Sequence, residues 1–374
     1  MQTLQELTER VRAAASSGTA LRIRGGGSKD FYGQALQGEI LDTRGLTGIV
    51  SYEPSELVVT VRAGTPLAEL EAVLADKGQV LPFEPPHFRT GPPPEPLGEG
   101  LHSRGPAAGS VATVGGMVAA GLNGPARASV GAVRDYVLGA QLLNGQAELL
   151  SFGGQVMKNV AGYDVSRLLA GSLGTLGLIT EVSLKVLPRA VAEATLVFEL
   201  DEARALQQLN AWGGRPLPLN ASCWHEGALM VRLRGAQAAI TAARQTMGGQ
   251  VLDDAPARQL WQALREQTAP FFQLAEGEAL MRLSVPDTAP PLNLGPTLIE
   301  WHGAQRWLKL PLSASAQSSL PAGLPGHATL FRGGDKGAGV FTPLPAPLDR
   351  ITRELKKQFD PAGIFNRGRL YPDF

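Results

Sequence analysis

Between residues 171 and 177 the chain reads Gly-Ser-Leu-Gly-Thr-Leu-Gly, with three glycines in seven residues of an uncharged stretch. Glycine lacks a Cβ, so its main-chain N–H and C=O groups can come within hydrogen-bonding distance of a ligand. Fixing its backbone costs about 0.5–1 kcal/mol relative to alanine. Three such costs in one turn call for a contact that offsets them. Two further bare segments stand far away in the chain, Arg22-Ile23-Arg24-Gly25-Gly26-Gly27-Ser28-Lys29 and Thr113-Val114-Gly115-Gly116. The expected fold is one that brings the three onto a single large, flat ligand.

A chain of 374 residues exceeds one ordinary hydrophobic core, which predicts two domains or one large domain carrying an inserted one. Lys plus Arg and Asp plus Glu balance at 34 each, which argues against nucleic acid and anionic lipid as partners. The single cysteine, Cys223, excludes an internal disulfide and a self-contained iron–sulfur cluster, which takes about four thiolates. The opening MQTLQELTER lacks the basic region and apolar core of a secretion signal. The apolar run 107–122 is Gly-rich and shorter than the roughly 20 residues that span a bilayer. These features predict a soluble cytoplasmic protein.

Leu4, Leu7, Val11 and Ala14 fall at helical spacing behind a Thr3/Glu6 capping box and before Gly18. A strand over 21–24 delivers the first glycine loop. Residues 57–62 read as a strand, Thr65-Pro66 as a helix start, Leu67, Leu70, Val73 and Leu74 as its stripe, and 79–81 as a returning strand, together a βαβ unit. Residues 84–106 are too rich in Pro and Gly for regular structure and read as a surface insertion. From 111 to 188 the pattern is strands and turns, with an Asn144-Gly145 hairpin between 137–143 and 148–151. Strand and helix then alternate over 190–330. A final helix over 348–359 places Leu348, Ile351 and Leu355 on one face.

Taken together, RGGGSKDFYG (24–33), ATVGGMVAAGLNGPARASVGAVRDYVLG (112–139), KNVAGYDVSRLLAGSLGTLGLITEVSLKVLP (158–188) and FDPAGIFNRG (359–368) resemble the vanillyl-alcohol-oxidase, or PCMH-type, FAD-linked oxidases. Within that superfamily the chain is most similar to the family of FAD-binding E subunits of bacterial glycolate oxidases, above all in KNVAGYDVSRL joined to Gly-Ser-Leu-Gly-Thr-Leu-Gly. The resemblance implies an α+β fold: a PCMH-type FAD-binding domain of two α+β subdomains over 1–189, a ferredoxin-like α+β cap domain over 190–330, and a C-terminal segment, 331–374, returning to the FAD domain. Main-chain N–H groups of a glycine turn can donate charge-assisted bonds of about 1.5–3 kcal/mol each to a pyrophosphate. By resemblance Arg24, Gly25, Gly26, Gly27, Ser28 and Lys29 cradle it, and Thr113, Val114, Gly115 and Gly116 meet it from the other side. Gly124, Gly131, Val133 and Asp135 would follow the ribityl chain and flavin edge. Gly171, Gly174, Thr175, Gly177 and Ile179 would hold the adenine half, and Asn366 would reach the ring.

No G-x-G-x-x-G and no G-x-x-x-x-G-K-[ST] occurs, so a dinucleotide Rossmann turn and a P-loop are not supported. Ala170 to Gly174 comes within one residue of a nucleophile elbow, but a strand and not a helix is expected after it. Ser28-Lys29-Asp30 offers no His or Cys for a covalent flavin, so the FAD is expected to be noncovalent. His327 has no second histidine following it, and His87, His102, His225 and His302 form no metal pattern, so no metal is expected. His225 reads as a structural or surface residue, Cys223 as a small buried hydrophobe, Trp301, His302 and Trp307 as lining the cap core or an interface, and Tyr163 and Asp164 as packing residues, as flavin-orienting ones or as contacts to a neighbouring subunit. No catalytic base is assigned.

The expected function is an FAD-binding subunit of a glycolate oxidase complex that oxidises glycolate or a similar 2-hydroxy acid to the 2-oxo acid. Its place is that of an accessory flavin site or electron relay beside a larger FAD-linked subunit and an iron–sulfur subunit, with any membrane association through those partners. Two alternatives stand: a structural subunit with a degenerate flavin site, and a self-sufficient FAD-linked alcohol or 2-hydroxy-acid oxidase.

Overall fold

The structure, a computed structural model, describes residues 3–89, 111–154, 164–313, 319, 321 and 323–374. The first helix, Leu4–Ser17, is capped as its sequence requires: Thr3 Oγ1 accepts from the Glu6 N–H, and the Glu6 carboxylate accepts from the Thr3 N–H. Its buried face, Leu7, Val11 and Ala14, packs with Leu21, Leu41 and Phe365 around the parallel pair Leu21–Arg24 and Glu39–Asp42.

Next to it lies a five-stranded antiparallel sheet in the order Ile49–Glu53, Val58–Arg62, Leu178–Lys185, Val137–Leu143, Leu149–Gly153. Helices Leu67–Asp76 and Val114–Ala120 share its core, where Leu67, Leu70 and Leu74 are fully buried. Each such leucine contributes about 1.5–3 kcal/mol. The expected βαβ unit does not form. Val58–Arg62 is flanked on both edges, so Gln79–Val80 pairs antiparallel with Leu187–Pro188 instead. Thr65 is not the helix cap either. Its hydroxyl accepts from the Gly48 N–H, and Pro66 stands at the cap without a side-chain bond. The hairpin is present, with a longer turn than Asn-Gly: the Asn144 side chain accepts from the N–H groups of Gln146 and Glu148.

The surface insertion expected over 84–106 needs correction at its start. Residues 84–88 lie inside the molecule: Glu84 meets Arg232 and Arg234, and Phe88 joins an aromatic core. Residues 90–106 lie outside the described residues.

A second, eight-stranded antiparallel sheet runs Gln250–Leu252, Ala192–Glu199, Ala228–Gly235, Leu219–His225, Thr297–Glu300, Gln305–Pro311, Glu278–Ser284, His327–Arg332. Its first four strands, with helices Glu202–Gly213 and Gln237–Met247, form a ferredoxin-like βαββαβ unit. The other half of the sheet turns Trp307 and Phe331 toward Tyr32, Phe88, Leu122 and Leu173, so the two halves of the chain share one apolar cluster.

The C-terminal helix Ala346–Phe359 leaves Leu348 and Ile351 about half exposed, so the expected apolar face is not buried along its length. Lys356 is buried instead, donating to the Thr175 and Phe365 carbonyls and the Asp360 carboxylate. Beyond the helix the chain returns to the first strand, with the Leu21 N–H donating to Ile364 O and the Asn366 N–H to Leu21 O.

Candidate functional site

The first two glycine segments touch. A Cβ on Gly26 would stand 1.6 Å from the Val111 carbonyl oxygen, and one on Gly25 would stand 2.3 Å from Thr113 Oγ1, so both positions require glycine for close approach. Thr113 caps helix Val114–Ala120, accepting from the Gly116 N–H, while the Val114 and Gly115 N–H groups donate to Thr65 O and Ala63 O. The third segment lies along the far end of the same helix: Gly171 N–H donates to Val118 O, and Leu173 N–H to Ala119 O. Asn366 then joins first and third. Its Oδ1 accepts from the Ile23 N–H at 2.8 Å, and its Nδ2 donates to Leu173 O at 2.5 Å, close against Gly174. Thr175 is fully buried, held by its bond to Ser172 O and by Lys356.

The turn over 121–135 is a self-supporting unit. Asn123 Oδ1 accepts from the Val133 N–H, the Asp135 carboxylate from the Ala132 N–H, and Gly131 N–H donates to Arg127 O. Gly124 accepts from the Trp301 indole N–H at 3.1 Å, which ties this turn to the second sheet. Gly177 and Ile179 stand apart from these contacts. The former abuts Leu143 O and the latter lies in the core of the five-stranded sheet.

Charge around the first loop is unevenly used. Arg24 is paired with Asp30 at 2.8 Å. Lys29 reaches Ser28 Oγ at 3.3 Å and lies over the Phe88 ring, with no ion pair among the described residues, and burial pushes its pKa down to about 8, with Glu266 opposing and Arg265 reinforcing. Arg22 Nε is buried with no partner among the described residues, and beside Gly171 the space is open. Unspent buried donors beside bare backbone suit an anionic, flat ligand, and so fit a pyrophosphate-bearing dinucleotide.

A small cavity sits where the 121–135 turn faces the eight-stranded sheet, between Asn123 and Gly124 on one side and Arg282, Glu300, Gln305 and Trp307 on the other. Glu300 Oε2 accepts from Trp307 Nε1 at 2.7 Å and Gln305 Nε2 at 3.1 Å. Burial raises its pKa to about 7 against those two bonds, with Glu84 adding to the rise. Cys223 is buried beside it, its thiol pushed well up by burial first and by Glu300 second.

Residues 1–91 match the family model described as an FAD binding domain. The glycolate oxidase subunit GlcE of Escherichia coli (strain K12) is 45% identical over 370 residues, covering 99% of this chain and 97% of that protein. The chain belongs to the family of glycolate oxidase subunit GlcE. Glycolate oxidase subunit GlcD of Bacillus subtilis (strain 168) is 28% identical over 160 residues, or 43% of this chain, and the match spans only 30% of that protein. In fold, a solved structure of alkyldihydroxyacetonephosphate synthase is similar with a TM-score of 0.62 at 14% identity, covering 97% of this chain and 75% of that one.

Within this GlcE-family fold, the sequence reading missed Arg282, Glu300 and Gln305. They fall on one face of three adjacent strands, where Arg282 stands opposite Trp307 and Glu300 opposite Gln305. Polar residues at inward positions of otherwise apolar strands were the available signal, but strand order is needed to see them meet. Of the motif at 158–168, residues 158–163, with Tyr163, lie outside the described residues, as does His102. Asp164 accepts from Ser166 Oγ and pairs with Arg167. His225 meets Phe271 edge to face and bonds Thr297 O, a structural placement. Among the described residues no group of three or more His, Cys, Asp or Glu is placed to hold a metal, and no helix is long and apolar enough to cross a membrane.

Proposed function

We propose that this chain is the FAD-binding subunit of a glycolate-oxidase-type complex, taking part in the oxidation of glycolate or a similar 2-hydroxy acid to the 2-oxo acid as an accessory flavin site that passes electrons to partner subunits. The observation that carries the reading is the junction made by Asn366, which holds the first and third glycine segments together, in a chain of the GlcE family. Bound FAD would supply the two-electron chemistry.

The chain's own part is to bind and orient. Arg24 to Lys29 and Thr113 to Gly116 face the pyrophosphate, with Lys29 a cation that has no ion pair among the described residues. Gly124, Gly131, Val133 and Asp135 set the flavin-edge turn. Gly171, Gly174 and Thr175 serve the adenine half with Gly177 and Ile179 behind them, and Asn366 locks the arrangement. The FAD is noncovalent, since the first loop offers Ser28-Lys29-Asp30 where a covalent link would need His or Cys. The proposed domain division is 1–189, 190–330 and 331–374. The proposed partners are a larger FAD-linked subunit and an iron–sulfur subunit bringing its own cysteines, because the one cysteine here is buried. The proposed location is cytoplasmic, with membrane association through those partners.

The test is purification of the chain and its companions from the native host, followed by a visible absorption spectrum of the chain. A yellow chain that releases FAD on denaturation and co-purifies with a second flavoprotein supports the reading. A folded, colourless chain would leave it no redox role.

A further inference from the structure

A second cavity is lined by none of the three glycine segments. It is a groove of about 840 Å³, with helix Leu67–Asp76 and residues 79–82 on one side and helix Asp254–Glu266 on the other. Residues 187–195, which lead from the five-stranded to the eight-stranded sheet, run along it. Its volume lies near the upper end of the ~300–1,000 Å³ of ligand pockets, room for several residues of extended chain. Strand Ala192–Glu199 pairs with Ala228–Gly235 along its whole length, but its other edge meets Gln250–Leu252 only over 195–197. The edge at 192–194 is therefore open among the described residues, and the main-chain groups of Ala190 and Val191 just ahead of it bond nothing there. Val191 is 84% exposed. An unpaired strand edge is a template for another chain, and sheets that must avoid pairing guard it with charge, proline or a bulge. The one charge in Ala190-Val191-Ala192-Glu193-Ala194 belongs to Glu193, which is tied to Arg234 at 2.6 Å and so does not guard the edge.

Charge along the groove selects its occupant. Of the acids that line it, Glu84 is engaged by Arg232 and Arg234, Glu193 by Arg234, and Glu71 by Arg265 and His87. Asp254 stands in the first turn of its helix, where the positive end of the dipole favours it. Arg189 and Arg258 are exposed and have no ion pair among the described residues. The balance left over is cationic and complements carboxylates. Between the charges, Val80, Pro82, Val130 and Leu187 offer apolar lining. A small anion would meet the arginines but leave the strand edge unpaired. A helix keeps its N–H and C=O groups to itself, whereas an extended chain presents them to an edge.

We infer that this groove docks an extended, acidic segment of a partner polypeptide, which pairs its main chain with the edge at 190–194 and its carboxylates with Arg189 and Arg258. The inference rests on the proposed function for the existence of a complex and not for the flavin role, and it adds which face of the chain a partner takes. Main-chain bonds to the edge supply affinity without regard to sequence. Alternate side chains of the segment turn into the groove, and there the arginines and the apolar lining set which segment is accepted.

The test uses the complex from the native host, with the photo-cross-linking residue benzoylphenylalanine in place of Gln262, an exposed residue of the groove wall. After irradiation, mass spectrometry is expected to find one recurring segment of another subunit linked there, in which Asp and Glu outnumber Lys and Arg. Amide hydrogen exchange at 190–194 is expected to be slower in the complex than in the isolated chain. Arg258→Glu should weaken the complex by about tenfold or more and flatten its loss with added salt, at an unchanged urea midpoint of the chain. The cross-link and the exchange do not need that variant, so they decide the matter even if Arg258→Glu fails to fold. A link to a second copy of this chain, links confined within one chain, a linked segment richer in Lys and Arg, or amides at 190–194 that exchange equally fast in both states overturns the site. The flavin spectrum is read on the same sample. A colourless chain linked to a partner's acidic segment supports the groove while sinking the flavin role. An intact complex with a yellow chain and no such link sinks the groove alone, and a chain that purifies without companions sinks both the complex and the groove.

Discussion

Asn366 concentrates the argument at the scale of one side chain, because its two amide atoms serve main-chain groups of two glycine segments. Replacement by alanine leaves the Ile23 N–H and the Leu173 carbonyl without those partners in a packed place, at about 1–3 kcal/mol for each orphaned group. Asn366→Ala is therefore expected to lower the urea midpoint and to release FAD during gel filtration; full flavin retention at an unchanged midpoint would show that the tie is dispensable. The motif singled out Asn366 from sequence alone, but its bond to Ile23 spans 343 positions and no local pattern encodes it. Lys29 gives a second expectation. With its pKa pushed down to about 8, the ammonium is neutralised as pH rises through 8, whereas a phosphate beside it favours the charged form. FAD affinity should fall between pH 8 and 10 in the native chain, and be weaker and flatter in Lys29→Met, as read by the fluorescence of released flavin. An identical slope in the variant would assign the pyrophosphate to other donors.

Helix Val114–Ala120 shows why some elements were legible and others were not. The first helix and the hairpin over 137–153 declare themselves by apolar period and cap or turn residues, and both are present. The helix after Thr113 was hidden because Gly115 and Gly116 are poor helix formers, each about 1 kcal/mol worse than alanine. Its glycines answer to packing: a Cβ on Gly115 would stand 2.6 Å from Ala63 Cβ and 3.0 Å from Ala63 O, whereas at Gly116 it would meet only Thr113 Oγ1 at 3.1 Å. Alanine at an ordinary helix site stabilises, but Gly115→Ala must push the helix off the sheet. It is expected to destabilise by about 1–3 kcal/mol, with a much smaller change for Gly116→Ala, measured by thermal unfolding of both variants. Equal effects at the two positions would remove close approach as the reason for Gly115. The 79–80 strand was misplaced for a related reason: periodicity finds a strand, while the free sheet edge that receives it is a property of the assembled fold.

The two halves of the molecule are joined by a group that composition had marked as surface. A Pro-rich context made residues 84–106 read as an insertion, yet the Glu84 side chain is 15% exposed and lies 2.7 Å from Arg232 and 3.0 Å from Arg234, partners about 150 positions away on the eight-stranded sheet. Burial alone would raise the Glu84 pKa; the two guanidinium groups outweigh it and hold the pKa below the ordinary carboxylate value. Glu84→Gln leaves Arg232, 3% exposed, without its counter-charge, and breaking such a buried pair costs about 3–5 kcal/mol. The sign of the pH dependence follows from the depressed pKa. The unfolded chain takes up a proton at a higher pH than the folded one, so the stabilisation is complete above the ordinary carboxylate pKa and is lost as pH falls through the lower folded value. Urea unfolding of native and Glu84→Gln chains from pH 7 to pH 3 is expected to show a stability gap that is constant near neutrality and narrows at the acid end. A gap that persists unchanged at pH 3 would mean that hydrogen-bond geometry, not the charge of Glu84, joins the halves.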